Sequence, residues 1–397
     1  MYDVVIIGAG ASGLMLANVL KKENKNINIL LLEKNDKVGK KLSITGNGKC
    51  NLGNINVSKN KYNDIKYFEL IEKYNKDYLN YLKSFGILLK NDNEGRIYPY
   101  NEQAISVCKM FEKNLKLLNI GIKYNYDVNR VIKKGDIFII NEDIKTKSVV
   151  IATGGMSYPK TGSTGDGYSI LKGLNHDITK LYPSLVKLKT DYKNIKGIDG
   201  VRINCNVSLF IDDKKVKEEK GQVQFTNDFI SGICVFNLSR NVKRYIEEQR
   251  NVKLCIDFIP DFSISDLNDY ISKFEEHKIN DILYGVLNNK LADAIISDLK
   301  LNGLKVKDIK EEKIRQLFEY TKSMSFNIID TGDFNEAQVT NGGANLDDFS
   351  AYLESKYVNN LYAIGEVLNV DGICGGYNLA WAFISAIIAS NKILEIM

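Results

Sequence analysis

The sequence predicts an α/β fold in which both ends of the chain build one domain and the middle is an insertion. Three observations carry this expectation. Residues 3–7 (Asp-Val-Val-Ile-Ile) are a β-branched run that leads straight into the turn Gly8-Ala9-Gly10-Ala11-Ser12-Gly13. Residues 27–33 form a second apolar run that ends on Glu33. Far along the chain, Tyr362-Ala363-Ile364-Gly365-Glu366 is a third such run, followed by Gly372, Gly375 and Gly376 and then a long apolar segment. The 397 residues leave room for two or three cores, because single cores stop growing near ~250–300 residues.

Taken in order, residues 3–7 read as a strand buried on both faces, as parallel strands are. The glycine turn opens a helix through about Lys22, and residues 27–33 complete a βαβ unit. Residues 65–85 and 102–118 predict amphipathic helices. In the second, Ala104, Val107, Cys108, Phe111, Leu115 and Leu118 share one face, which makes Cys108 a core residue. Residues 136–141 and 148–152 predict strands. After Pro183 the pattern changes to short alternating segments such as 207–211 and 252–256, which predict a β-rich insertion over 186–260. Residues 263–324 become helical in spacing, through Ile282, Val286, Ala294, Ile295 and Leu299, and define a helical insertion over 261–325. Residues 361–365 return to a strand, with a helix over about 378–394. The expected domains are therefore 1–185 with 326–397, then 186–260, then 261–325.

Composition excludes several classes. With 44% apolar and 26% charged residues, most of the chain is not disordered. The net charge of +5 is mild. Its basic excess lies in 1–185 and its acidic excess in 326–397, two parts of one expected domain, so charge alone lends little support to an RNA partner. His176 and His277, the only histidines, cannot form a three-histidine metal site and argue against a Ser-His-Asp hydrolase. The six cysteines, at 50, 108, 205, 234, 255 and 374, include no pair at metal-cluster spacing, so no metal is expected. The first residues lack a basic n-region and a cleavage site, and the longest apolar stretch, 379–388, is about half a membrane span. A cytoplasmic protein with free thiols and no membrane contact is expected.

The chemistry concentrates in glycine-rich turns at strand ends. Gly8 allows a tight turn, Gly10 lets backbone approach a diphosphate, and Gly13 lets helix and strand pack closely. The helix start at Ala11 and Ser12 attracts the phosphates, and Glu33, 20 residues after Gly13, accepts from a ribose. Both NAD and FAD use this unit. The return at Gly365-Glu366, leading through Asp371 and Gly372 to Gly376, Asn378 and Leu379, favours the longer FAD: a second helix N-terminus can face the negative edge of a reduced flavin. The loop carrying Lys40, Lys41, Thr45, Gly46, Gly48, Lys49, Cys50 and Asn51 offers cations and backbone donors to the same cofactor. The strand end Thr153-Gly154-Gly155 can pack against it, and Lys34 and Val128 complete the expected contacts.

Together with Met156-Ser157-Tyr158-Pro159, Gly162-Ser163-Thr164-Gly165-Asp166-Gly167 and Val339-Thr340-Asn341-Gly342-Gly343, these motifs resemble, over nearly the whole chain, the bacterial FAD-dependent oxidoreductases of the aminoacetone-oxidase-like and BaiN-like type. The resemblance implies a glutathione-reductase-like Rossmann FAD domain with an inserted β-barrel-like domain and a small helical one. Lys49 stands where the family usually has Arg, keeping the charge but losing a bidentate fork. Cys374 stands where the family often has Thr. Cys50 has no Cys-x4-Cys partner, since 45 and 55 are Thr45 and Ile55, so disulfide reduction is not expected. No second GxGxxG marks a nicotinamide domain, so NADH or NADPH is expected only as a transient donor.

The resemblance points to hydride addition to an activated C=C bond, with uridine in ribosomal RNA (giving dihydrouridine) or an unsaturated steroid-like molecule as substrate. Cys50 or Cys374 is the expected acid, because a thiol near pKa ~8.5 is protonated at neutral pH. Tyr158 and Tyr377 are rival donors. Two other readings stay open: an oxidase or dehydrogenase of a small amine or ketone, and an RNA-associated protein with structural FAD.

Overall fold

The structure is a computed structural model that describes residues 1–64 and 66–397. It divides into two compact units, Met1–Pro183 with Phe334–Met397, and Ser184–Asp333.

The first unit is built on a seven-stranded sheet. Strand β1 (Tyr2–Ile7) lies between parallel neighbours, β2 (Ile29–Leu32) and the strand Ile144–Ile151. The strand Gly121–Lys123 extends the sheet beyond β2. On the far side, Ile144–Ile151 pairs antiparallel with Ile137–Ile140 through its first half and parallel with Leu361–Ala363 through its last three residues. The C-terminal return thus enters the same sheet as β1, and both strands point their ends at one edge. Helix α1 (Ala11–Glu23) packs beside the C-terminal helix Tyr377–Ile396. That helix is apolar nearly all round. By length and composition it is apolar enough to cross a membrane, but most of its residues are buried inside the unit, as expected of a central core helix. The predicted amphipathic helices form as Phe68–Ser84 and Ala104–Leu117, and Cys108 is buried in the core. Residue 65, where the first of these was expected to begin, lies outside the described residues.

The second unit contains a closed six-stranded antiparallel barrel, in the order Leu188–Thr190, Phe229–Ser231, Lys214–Thr226, Arg202–Ile211, Val252–Asp257, Met324–Thr331. Alternate residues such as Val207, Leu209 and Ile211 fill its interior. One boundary differs from the sequence expectation. The return to the first unit begins at Phe334 rather than at 326. Met324, Phe326 and Ile328 are buried while Ser325, Asn327 and Ile329 are exposed, a period of two that makes 324–331 the strand closing the barrel. The helices between Ser263 and Lys322 are therefore an excursion between two barrel strands rather than a segment that ends the insertion.

Candidate active site

At the end of β1 the three glycines do different work. A Cβ on Gly8, whose φ is +107°, would stand 2.5 Å from the Ala152 carbonyl oxygen. A Cβ on Gly13 would collide with the Gly8 carbonyl oxygen. At Gly10, by contrast, a Cβ would meet nothing within 4 Å. Strand, turn and helix are thus locked together around an open cradle at Gly10. Helix α1 begins there with no side-chain cap and no acidic residue in its first turn. Its first N–H groups have no carbonyl four residues back and carry the positive end of the helix dipole. This donor set fits the diphosphate of a dinucleotide.

Glu33, at the end of β2, is buried. Its Oε2 accepts from the N–H of Ala9 at 2.9 Å and its Oε1 from the backbone and side-chain nitrogens of Asn35 at 2.8 and 2.7 Å. The carboxylate is fixed against the glycine turn. Lys34 donates to Thr164 and pairs with Asp166 at 2.5 Å, and the Asn35 amide donates to the Thr161 carbonyl at 3.1 Å. The 161–166 loop is thereby strapped across the end of β2. Lys40 reaches the Asn35 Oδ1 at 3.3 Å. Val128 is buried two residues beyond Tyr126, whose N–H donates to the Glu33 carbonyl at 3.0 Å.

A second cluster forms around Glu366. Its Oε1 accepts from Ser157 Oγ and from the Thr340 N–H, each at 2.9 Å, and its Oε2 pairs with Lys41 Nζ at 2.8 Å. Burial acts to raise this carboxyl, but the Lys41 charge and the hydrogen bonds from Lys41, Thr340 and Ser157 outweigh it and hold the group below the ordinary carboxylate value. Gly154 and Gly155 close around it: a Cβ on Gly155 would stand 3.1 Å from Glu366 Oε1, and one on Gly154 would stand 3.8 Å from Oε2. Thr153 is the residue just before them. The Gly365 N–H donates to Ser385 Oγ at 2.9 Å, and a Cβ on Gly365 would stand 2.7 Å from Ser12 Oγ. The two chain ends therefore meet at the start of α1.

The remaining expected residues shape the start of the C-terminal helix. Asn378 turns its amide back onto Gly372, accepting from the N–H at 2.8 Å and donating to the carbonyl at 2.9 Å. Asp371 is buried and accepts from the Asn341 amide at 2.9 Å. Asn51 joins this loop to the 38–51 loop: with its amide turned so that both ends find partners, its oxygen accepts from the Gly376 N–H at 3.1 Å and its nitrogen donates to the Gly53 carbonyl at 2.8 Å. Leu379 lies in the first turn of a helix that again has neither a side-chain cap nor an acidic residue there. Thr45 donates to the Leu42 carbonyl at 2.8 Å, and Gly46 and Gly48 take φ values of +57° and +82° in the turn that follows.

Two expectations change in detail. Lys49 points outward and pairs with Glu102 at 2.8 Å; Glu102 also holds Lys90 at 2.7 Å, and the two lysines bring its carboxyl down to about 2. Glu102 sits in the left-handed region at φ +50°. Cys50 is fully buried, and burial pushes its thiol up to about 12, whereas Cys374 is partly exposed. The sequence reading did not name Ser157, Thr340 or Asn35 as site residues. Ser157 and Thr340 lie inside the quoted glycine motifs, which was the available signal.

The HI0933-like protein Rossmann domain matches residues 2–392. The chain belongs to that family. It is similar to the 3-dehydro-bile acid delta(4,6)-reductase of Clostridium scindens, at 30% identity over 100% of both chains. It is also similar to the ribosomal RNA dihydrouridine synthase of Haemophilus influenzae, at 27% identity over 96% of both. In fold it resembles the 3-ketosteroid delta1-dehydrogenase of Sterolibacterium denitrificans, at a TM-score of 0.55 and 11% identity over 100% of both chains. It also resembles a flavocytochrome c3 fumarate reductase, at a TM-score of 0.51 and 15% identity over 99% of this chain and 78% of that one. The protein is an FAD-dependent oxidoreductase of Rossmann type.

Proposed function

We propose that this enzyme reduces a C=C bond conjugated to a carbonyl group, with NADH or NADPH as a transient electron source. One observation carries the reading. Two relatives that align over essentially the whole chain are named for different substrates, yet both names describe saturation of such a bond: the 4,6-diene of a 3-oxo steroid, and the C5=C6 bond of uridine. Bound FAD supplies the hydride in such a reduction. The chain's own residues do the rest. The start of α1 around Gly10 receives the diphosphate, and Glu33 is held rigid to accept from ribose hydroxyls. Lys41 and Glu366, with Ser157 and Thr340, form a fixed polar cluster that would line the cofactor site. The uncapped N–H groups at the start of the C-terminal helix would stabilise negative charge that accumulates on a reduced flavin bound beside them.

A proton must also reach the carbon next to the carbonyl. Of the two thiols, Cys374 suits this role better than Cys50, because a donor has to touch substrate. Cys374 is partly exposed in the loop before the C-terminal helix, whereas Cys50 is sealed in the core. The proposed substrate is a planar conjugated carbonyl compound, either a uridine in ribosomal RNA or a steroid-like enone, met in the cytoplasm.

The test is turnover of the holoenzyme under anaerobic conditions, with NADH or NADPH and either ribosomal RNA from a deletion strain or a steroid 4-en-3-one. Mass spectrometry should show addition of two hydrogens to one of them. No reduction of either, with peroxide released from a small amine in air, would move the enzyme to the oxidase class.

A further inference from the structure

Beside the Glu366 cluster stands an exposed side chain with no role so far. Gln338 immediately precedes the strand Val339–Asn341. Its carbonyl oxygen lies 3.3 Å from Ser157 Oγ and shares the single hydrogen of that hydroxyl with Glu366, whose Oε1 lies 2.9 Å from it. Two residues on, the Thr340 N–H is fixed on Glu366 as well. The backbone under Gln338 is therefore tied to the wall of the cofactor site, while its side chain projects to solvent. There its Oε1 accepts from the thiol of Cys374, with sulfur and oxygen 3.7 Å apart. Cys374 comes from a separate loop, one with glycines at φ +127° and +97° (Gly375 and Gly376) and held by Asn54, whose amide donates to the Gly375 carbonyl at 3.0 Å. Two separately fixed backbones thus bring an amide and a thiol together at the rim of the site.

We infer that Gln338 positions the Cys374 thiol and recognises the carbonyl group of the substrate. The inference rests on the proposed C=C reduction. A glutamine amide has one acceptor end and a two-hydrogen donor end. With the oxygen turned to the thiol, the nitrogen is the end left to meet substrate. A donor on the conjugated carbonyl oxygen stabilises the negative charge that develops there as hydride adds to the far carbon of the double bond. The Cys374 proton then goes to the carbon next to the carbonyl, and water returns a proton to the thiolate. One hydride and one proton are added, and the electron pair comes from the nicotinamide donor. An isolated alkene offers no oxygen to Gln338 and is not a substrate.

Two variants separate the parts. Gln338→Leu removes acceptor and donor; Gln338→Glu keeps an acceptor, adds negative charge and removes the donor. The pH dependence of Cys374 alkylation, followed by peptide mapping because Cys255 is also partly exposed, needs no turnover. A hydrogen bond to the neutral thiol raises its pKa and a nearby negative charge raises it further. The alkylation midpoint should move down in Q338L and up in Q338E. Both variants should lose about 10- to 100-fold in kcat/KM on a conjugated carbonyl substrate, the scale of one hydrogen bond to developing charge. An unmoved midpoint in Q338L overturns the positioning role, and an unchanged kcat/KM in both variants overturns the recognition role. If neither wild type nor variants reduce any conjugated carbonyl, the proposed reaction has failed, while the alkylation shifts still decide the positioning role. Should Q338L not retain FAD, Gln338→Met, closer in shape, gives the same readings.

Discussion

Replacing Gly10 with alanine separates cofactor binding from folding. Gly10 has φ −80° and ψ −167°, which alanine adopts without strain, and its Cβ would meet no atom within 4 Å. Apoprotein stability should therefore change by less than about 1 kcal/mol, and in the stabilising direction, because alanine narrows the unfolded ensemble. With FAD the new methyl group stands in the cradle in front of the first turn of α1. Losing a single charge-assisted hydrogen bond to the diphosphate costs about 1.5–3 kcal/mol, or roughly 10- to 150-fold in Kd. Gly13→Ala is the control. Its Cβ would collide with the Gly8 carbonyl oxygen and stand 3.4 Å from the Ala152 Cβ. Such overpacking costs about 1–3 kcal/mol with or without cofactor. The assay is thermal denaturation of the three apoproteins together with calorimetric titration by FAD. Wild-type FAD affinity in G10A would refute the placement of the diphosphate. An apo-G10A as unstable as apo-G13A would refute the open cradle.

Three further outcomes follow. Trp381, the single tryptophan, is buried and donates from Nε1 to the Gly365 carbonyl at 3.1 Å, so adding FAD to apoprotein should strongly quench its emission; unchanged fluorescence would place the cofactor elsewhere. The Glu366 carboxyl is depressed below its ordinary 4.5, so its stabilising contribution is complete above that pH and is lost as pH falls through the lower folded value. Glu366→Gln should remove that part of the acid transition in denaturation scans and cost about 1–3 kcal/mol at neutral pH, because Lys41 loses its partner; an identical acid profile would contradict the pairing. Cys50, buried and pushed up to about 12, should resist iodoacetamide in the folded protein near neutral pH while Cys374 reacts, as mass mapping would show.

The parts of the site that follow the chain locally were readable from the residues. β1, the glycine turn and α1 are contiguous, and glycine at 8, 10 and 13 has a separate steric reason at each position. Glu33 and Glu366 were readable for the same cause, since each ends an apolar strand. What escaped was long-range. Ser157, Thr340 and Gln338 are ordinary polar residues in sequence and gain meaning only when separate segments converge on Glu366. The outward turn of Lys49 depends on Glu102, 53 residues away and in a backbone conformation that composition does not announce. The barrel boundary was missed because Met324–Thr331 follows directly on a long helical stretch, and its place in the barrel depends on pairing with Val252–Asp257, about 70 residues earlier in the chain and separated from it by helices.

A single turnover tests the proposed reduction most directly. FAD on the holoenzyme is reduced without oxygen, excess donor is removed, and the enzyme is mixed with one equivalent of a conjugated enone or of uridine-containing ribosomal RNA. The prediction is that flavin absorbance returns in step with one equivalent of saturated product, and that an isolated alkene leaves the flavin reduced. Flavin that stays reduced with every conjugated carbonyl offered, and reoxidises only when oxygen is admitted, would contradict it.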